Sequence, residues 1–196
     1  MKYIIYKLIR LLVKFINKFI FRVEFIDRKN IPLEGNIILA GNHTHNFDAL
    51  LMIGGPNRIV HTLSKKELFN NIISNCFFRS MACIPVDRSK KDNNACNEAI
   101  EVLKNNGCIG IFPEGTTNKT IGTKDELDLL PFKYGAVSFA SKTNSYIVPF
   151  AIKGKYKFFR KSVKIIYGKP YKLKSNNLEK ENNLLMNKVS KLKGML

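Results

Sequence analysis

From Asn36 onward, short runs rich in β-branched residues alternate with longer stretches whose apolar residues recur at helical spacing. Ile37 to Ala40, Ile59 to Leu63, Ala82 to Val86, Cys108 to Phe112, Tyr146 to Ile152 and Val163 to Tyr167 read as strands. Asp48 to Ile53, Glu67 to Phe78, Asn94 to Asn105 and Lys133 to Thr143 read as helices between them, and Asn177 to Met195 as a polar-faced closing helix. Strand and helix in alternation imply an α/β fold, a mostly parallel sheet flanked by helices. No internal repeat interrupts the pattern. The longest expected loop, Thr116 to Leu130, is polar and acidic and joins a strand to a helix, where such loops are often functional.

The first thirty residues follow another rule. Lys7, Arg10, Lys14, Lys18 and Arg22 recur every three or four positions and, at 100° per residue, fill an arc of about 120°. Ile4, Ile5, Leu8, Leu11, Leu12, Phe15, Ile16 and Phe19 cover the opposite side. No charge-free run approaches the roughly 20 apolar residues that span a bilayer, and no small-residue cleavage site marks a signal peptide. An amphipathic helix of this composition is expected to lie in a membrane interface, its cations on lipid phosphates. The alternative is a helix packed on its own domain. The expected organisation is therefore a basic membrane-associating helix over 1–29 and one domain over 30–196.

Composition sharpens this picture. A chain of 196 residues with 45% hydrophobic and 24% charged residues is one ordinary globular domain, neither disordered nor collagen-like. The net charge of +18 is uneven: residues 1–30 hold eight basic and two acidic side chains, and residues 150–174 hold nine basic and none acidic. Two local surfaces that meet something anionic are implied, rather than a uniformly basic nucleic-acid wrapper. Cys76, Cys83, Cys96 and Cys108 form no Cys-x-x-Cys pair, sit among apolar neighbours, and read as buried small hydrophobes of a reduced cytosolic protein.

Three polar groups fall just past predicted strand ends: His43, Arg88 and Glu114. In a parallel sheet those ends share one edge, and the crevice there is where open α/β sheets bind ligands. His43 and Asp48 would diverge by about 140° on a continuous helix. They meet only if His43 lies in the turn after Gly41 and Asp48 on the first helical turn. An imidazole with a carboxylate on its other nitrogen is a general base held in one tautomer; the bland reading is a capping Asp beside a surface His. His43-x-His45 lacks further metal ligands, so no metal is expected. No serine-hydrolase elbow, Walker loop or dinucleotide fingerprint occurs, and His61, inside a strand, reads as structural.

Taken in order, His43-x4-Asp48, Ile84-Pro85-Val86-Asp87-Arg88, Phe112-Pro113-Glu114-Gly115-Thr116 and Ile147-Val148-Pro149 resemble the four motif blocks of the glycerolipid acyltransferases, the lysophosphatidic acid acyltransferases above all. Ser64-Lys65-Lys66-Glu67-Leu68, Pro131-Phe132-Lys133-Tyr134-Gly135-Ala136 and Gly168-Lys169-Pro170 are also similar to segments of that family, so the resemblance covers about residues 30–170. It implies a glycerolphosphate-acyltransferase-like α/β domain that moves a fatty acyl chain from acyl-CoA or acyl carrier protein to a lysophospholipid hydroxyl. No cofactor beyond that co-substrate is implied, and the protein would sit peripherally or monotopically on the cytoplasmic face of the cell membrane. By the same resemblance His43 is the base and Asp48 its orienter, while Arg88 and the Glu114-Gly115-Thr116 turn bind the acceptor. The family's arginine after that turn is Thr117 here, with Lys119 two residues on as a substitute cation.

The expected mechanism is direct transfer without an acyl-enzyme, with oxyanion donors sought among backbone N–H groups of the turn after Gly41 and the Lys65 side chain. The expected partners are an anionic membrane surface, a lysophospholipid, an acyl thioester and acyl carrier protein, and not nucleic acid. Two rivals remain: a non-catalytic module binding anionic membrane or nucleic acid, which gives His43 and Asp48 no role, and a thioesterase, which gives Arg88 and Lys119 no phosphate to meet.

Overall fold

Successive side chains on a strand point to opposite faces, and in the central strands of this chain both faces are buried. Ile38, Ala40, Ile109, Ile147 and Ala151 pack into one apolar layer, while Ile37, Leu39, Cys108, Val148 and Phe150 pack into another on the far side of the sheet. The computed structural model describes residues 4–87, 89, 92–120 and 128–196. Seven strands form one sheet: β1 (Glu24–Ile26), β2 (Ile37–Gly41), β3 (His61–Lys65), β4 (Cys83–Val86), β5 (Cys108–Ile111), β6 (Tyr146–Gly154) and β7 (Val163–Tyr167). Their order is β1-β7-β6-β2-β5-β3-β4, and every pairing is parallel except β6 with β7. The carboxyl ends of β2, β3, β4, β5 and β6 thus share one edge, where β7 and β1 begin.

Among the described residues six α-helices complete the fold: α1 (Ile4–Phe15), α2 (Asp48–Gly54), α3 (Ile72–Ser80), α4 (Asn93–Lys104), α5 (Gly135–Thr143) and α6 (Leu178–Gly194). Ala95, Ala99 and Leu103 of α4, Val137 and Ala140 of α5, and Leu185 and Val189 of α6 cover one face, and Leu51 and Met52 of α2 cover the other. The starts of α3, α4 and α6 carry side-chain caps, which satisfy N–H groups that the first turn leaves unpaired. Asp92 accepts from Ala95 N at 3.1 Å and Asn177 from Lys180 N at 3.0 Å. The stretch expected as one helix over Glu67–Phe78 is instead a 3₁₀ turn, Lys66–Phe69, followed by α3. Asn71 restarts the helix by accepting from Ser74 N at 2.8 Å.

Helix α1 continues as a π-helical turn, Ile16–Ile20, and lies over α2. Its contact with the domain is a narrow seam. Tyr6, Val13 and Asn17 are buried; the Tyr6 hydroxyl accepts from Val60 N at 3.1 Å, and Asn17 Nδ2 donates to Leu50 O at 3.1 Å. Arg10, beside the seam, donates to Asn57 Oδ1 at 3.2 Å and to Pro56 O. At 100° per residue the seam points about 170° away from the centre of the stripe formed by Ile4, Leu8, Leu11, Leu12, Phe15 and Phe19. That stripe is 50–65% exposed. The helix therefore rests on its own domain without burying its apolar face.

Two further differences from the sequence pattern are instructive. The short edge strand β1 falls within the expected N-terminal helical segment; Glu24, Phe25 and Ile26 pair with Lys164, Ile165 and Ile166. Cys83 and Cys108 are buried, whereas Cys96 is half-buried and Cys76 exposed. α3, which carries Cys76, buries none of its residues, so apolar sequence neighbours did not translate into a core position.

Candidate active site

The site begins where β2 stops. Gly41 pairs with Phe150 of β6, and a Cβ at position 41 would stand 2.2 Å from Phe150 O and 2.5 Å from its ring. Only glycine lets the two strands stay in register there. The next residue, Asn42, is buried, and its side-chain amide donates to Ile152 O at 2.8 Å and accepts from Ile152 N at 2.7 Å. An amide side chain thus stands in for one more ladder pair, which frees the backbone to turn away and present His43.

His43 Nδ1 lies 3.0 Å from Asp48 Oδ2. Asp48 opens α2 and is fully buried, and a buried charge is tolerable when it is paired and hydrogen-bonded. Its Oδ2 also accepts from Thr44 N at 2.6 Å and His45 N at 2.8 Å. Its Oδ1 accepts from the Tyr156 hydroxyl at 2.7 Å, with the Thr44 hydroxyl more distant at 3.3 Å. A carboxylate surrounded by donors requires Nδ1 to donate as well, which fixes the tautomer and leaves the Nε2 lone pair as the base. The imidazole stacks on Phe112 with ring centres 4.1 Å apart and is 14% exposed. Burial, then Asp48, pushes the Tyr156 phenol well above its ordinary pKa, so it remains a donor throughout the working pH range.

Glu114 is buried, and both of its oxygens are taken by backbone: Oε1 accepts from His43 N at 2.8 Å and Oε2 from Leu130 N at 3.0 Å. Burial raises its pKa against the pull of those two N–H groups. Asn118 N donates to His43 O at 2.8 Å, so both backbone groups of His43 are pinned by the segment after β5. The N–H groups of His43, Thr44 and His45 all have carboxylate acceptors. Those three are therefore occupied and do not supply the oxyanion donors expected of this turn.

The other expected residues gather on the same edge. Lys65 ends β3, exposed, level with Val86; Thr116 and Lys119 are exposed on the segment tied to His43 through Asn118. Arg88 lies outside the described residues, as does 121–127 of the long loop. Gly115 is left-handed at φ +72°, and Lys133 lies across it, its Cε 2.9 Å and Nζ 3.0 Å from where a Cβ would be. His61 is remote from this edge: its Nδ1 is 3.3 Å from Cys108 O, beside a cleft of about 680 Å³ that Arg58, Cys83 and Gly107 also line. Asn42, Tyr156 and Lys133 are the residues the motif reading missed. For Asn42 the signal was available, as an amide directly before the histidine at a strand end. Lys133 stands in one of the segments similar to the family, without a role assigned to it there; for Tyr156 there was no signal, because it joins the site only through the loop after β6.

The family described as "Acyltransferase" matches residues 22–153 of the chain. The chain is 29% identical over 153 residues to the 1-acyl-sn-glycerol-3-phosphate acyltransferase of Bacillus subtilis, covering 76% of this chain and 73% of that protein. It is 33% identical over 137 residues to the protein of the same name from Borreliella burgdorferi, covering 69% of this chain and 52% of the other. The crystal structure of the 1-acyl-sn-glycerophosphate (LPA) acyltransferase PlsC from Thermotoga maritima shares the fold, with a TM-score of 0.71 at 24% identity over 95% of this chain and 78% of that one.

Proposed function

The chain belongs to the acyltransferase family, and on that premise we propose that it transfers a fatty acyl chain from acyl-CoA or acyl carrier protein to the free hydroxyl of lysophosphatidic acid in phospholipid biosynthesis. The observation that carries this reading is the His43–Asp48 pair, 3.0 Å apart with its carboxylate buried, at the strand edge. His43 Nε2 takes the acceptor's hydroxyl proton as the oxygen adds to the thioester carbonyl. The tetrahedral intermediate then breaks its C–S bond, and the departing thiolate receives the proton back from the imidazolium. An ester and a free thiol result, with no acyl-enzyme. Asp48 stabilises the imidazolium as it forms, and Tyr156 holds Asp48.

The acceptor phosphate falls to Arg88, Lys119 and Lys133, and the carbonyl oxygen to Lys65. Glu114, with both oxygens on backbone N–H groups, positions the His43 turn, while Gly115 and Thr116 shape the wall beside it. One feature favours a different acceptor: Thr117 stands where the motif that the chain resembles carries an arginine, which suits a lysophospholipid with a substituted phosphate. No helix among the described residues is long and apolar enough to cross a membrane. The exposed stripe of α1, flanked by Lys7, Lys14 and Lys18, fits a peripheral or monotopic seat on an anionic cytoplasmic membrane face.

The decisive experiment measures thiol release from acyl-CoA with and without lysophosphatidic acid. Acceptor-dependent release that His43→Ala abolishes and Asp48→Asn lowers by about 10³–10⁴ supports direct transfer. Acceptor-independent release makes the protein a thioesterase, and wild-type turnover in His43→Ala removes the pair from the chemistry.

A further inference from the structure

Beside the end of α1 lies a cleft of about 420 Å³ lined by Lys14, Lys18, Arg22, Arg28 and Lys161, with Phe25 at its wall and no acidic side chain. Arg22 and Arg28 are held in place by bonds to Phe159 O at 3.4 Å and Asn57 Oδ1 at 3.2 Å. Burial and then repulsion from Arg10 and Arg28 lower the pKa of Lys14, as expected of cations crowded without a counter-ion. The loop between β6 and β7 closes one side of the cleft. There Phe159 N donates to Ile20 O at 2.5 Å, and Phe158 stacks on Phe21 with ring centres 5.6 Å apart. Phe158 and Phe159 are nevertheless 67% and 65% exposed, and Phe159 takes a left-handed φ of +60°, rare for an aromatic residue. They lie beside the end of the helical segment that carries the exposed Phe15 and Phe19, Phe159 bonded to Ile20 and Phe158 stacked on Phe21.

We propose that this cleft is a site for the phosphate of an anionic phospholipid in the bilayer surface, a lipid other than the acceptor being acylated, and that Phe158 and Phe159 enter the acyl region beside it. The proposal rests on the reading of α1 as a surface helix. It commits to a bilayer because phosphate-binding cations, exposed aromatic rings and the exposed apolar stripe of α1 belong to one helical segment and the loop bonded to its end. A nucleic acid would satisfy the cations and leave Leu8, Leu11 and Leu12 in water. No residue that lines the cleft is hydrogen-bonded to the side chain of His43 or Asp48, and the proposed occupant is a docking lipid rather than the acceptor.

The chain contains no tryptophan, so Phe159→Trp and, separately, Leu12→Trp give single fluorophores in the full chain. Each is mixed with vesicles of equal phosphatidylglycerol and phosphatidylcholine, part of the latter brominated in its acyl chains. The expected result is a blue shift and bromine quenching of both probes. Arg22→Gln with Lys161→Gln should weaken phosphatidylglycerol binding about thirtyfold, about fivefold per cation removed, and leave binding to pure phosphatidylcholine unchanged. Quenching at position 12 but not at 159 overturns this site and leaves the reading of α1 intact; quenching at neither overturns both. A shift at 159 produced equally by duplex DNA or inorganic phosphate, or vesicle affinity unchanged by the paired glutamines, also overturns it.

Discussion

Tyr156→Phe removes one oxygen from the site and nothing else. The ring keeps its neighbours, His45, Phe21 and Phe47, at centre distances of 5.0, 5.2 and 5.6 Å. Asp48 Oδ2 keeps its three donors, but Oδ1 loses the bond at 2.7 Å and retains only the Thr44 hydroxyl at 3.3 Å. A hydrogen bond to a charged group contributes about 1.5–3 kcal/mol, and Asp48 is too buried for water to replace it. For a chain of this length that loss lowers Tm by roughly 3–12 °C. If half of it, about 0.8–1.5 kcal/mol, is felt only once the imidazolium forms, kcat falls roughly four- to twelvefold. The acceptor KM should not move, since Tyr156 acts through Asp48 and not on substrate. Thermal melts together with thiol-release kinetics over a range of acceptor concentrations test this. A lowered Tm with wild-type kcat would make Tyr156 a structural strut, and a raised KM with intact kcat would make it a substrate contact.

Arg88→Ala should raise the acceptor KM about tenfold and leave that of the acyl donor nearly unchanged, with a smaller effect of the same kind for Lys119→Ala; equal acceptor KM in wild type and Arg88→Ala would remove Arg88 from the site. Thr117→Arg should favour lysophosphatidic acid over phosphodiester lysolipids, and side-by-side kinetics that show no change in preference would count against that pocket. Replacing Leu8, Leu11 and Leu12 by serine should reduce co-sedimentation with anionic vesicles at least a hundredfold, at about 1.5–3 kcal/mol per buried leucine, while Tm stays near wild type because all three are exposed; unchanged co-sedimentation would show that the stripe does not dock. Burial pushes the Tyr6 phenol up to about 12, so between pH 10 and about 12 the unfolded chain loses this proton before the folded one, and stability present below pH 10 is lost across that window. Urea melts over this range should show a smaller decline in Tyr6→Phe, and an identical decline would place the loss elsewhere.

The strands and the pairing of His43 with Asp48 were legible because each rests on local pattern. Ile37 to Ala40 is apolar at every position, and His43 and Asp48 are chemically distinctive residues five apart. β1 was not legible: Glu24, Phe25 and Ile26 are too few to set a period, and none is fully buried. Tyr156 looked like one residue in a run of lysines. It meets Asp48 only because β6 runs on to Gly154 and carries the loop over the site, a contact across 108 residues. Lys133 reaches Gly115 through Lys133 N bonding to Pro113 O at 2.8 Å, which sequence spacing does not encode. The N-terminal helix posed a choice between membrane and domain that periodicity could not resolve, because the seam of Tyr6, Val13 and Asn17 is narrower than the stripe it leaves free.

The two residues before His43 set limits on how this protein can vary. At position 41 the obstruction is the carbonyl oxygen of Phe150, 2.2 Å from any added carbon, so no rotamer change elsewhere makes room; β2 would have to part from β6 in the middle of the sheet. At position 42 the Ile152 backbone asks for one donor and one acceptor at fixed reach. Aspartate supplies no donor and glutamine is one carbon too long. In a saturation library scored only for correctly folded protein, with catalysis never assayed, positions 41 and 42 should tolerate almost nothing while position 43, the proposed base, accepts many replacements. Intolerance at this turn measures the geometry of strand pairing, and a map of tolerated substitutions read as a map of chemistry would put the active centre one or two residues too early.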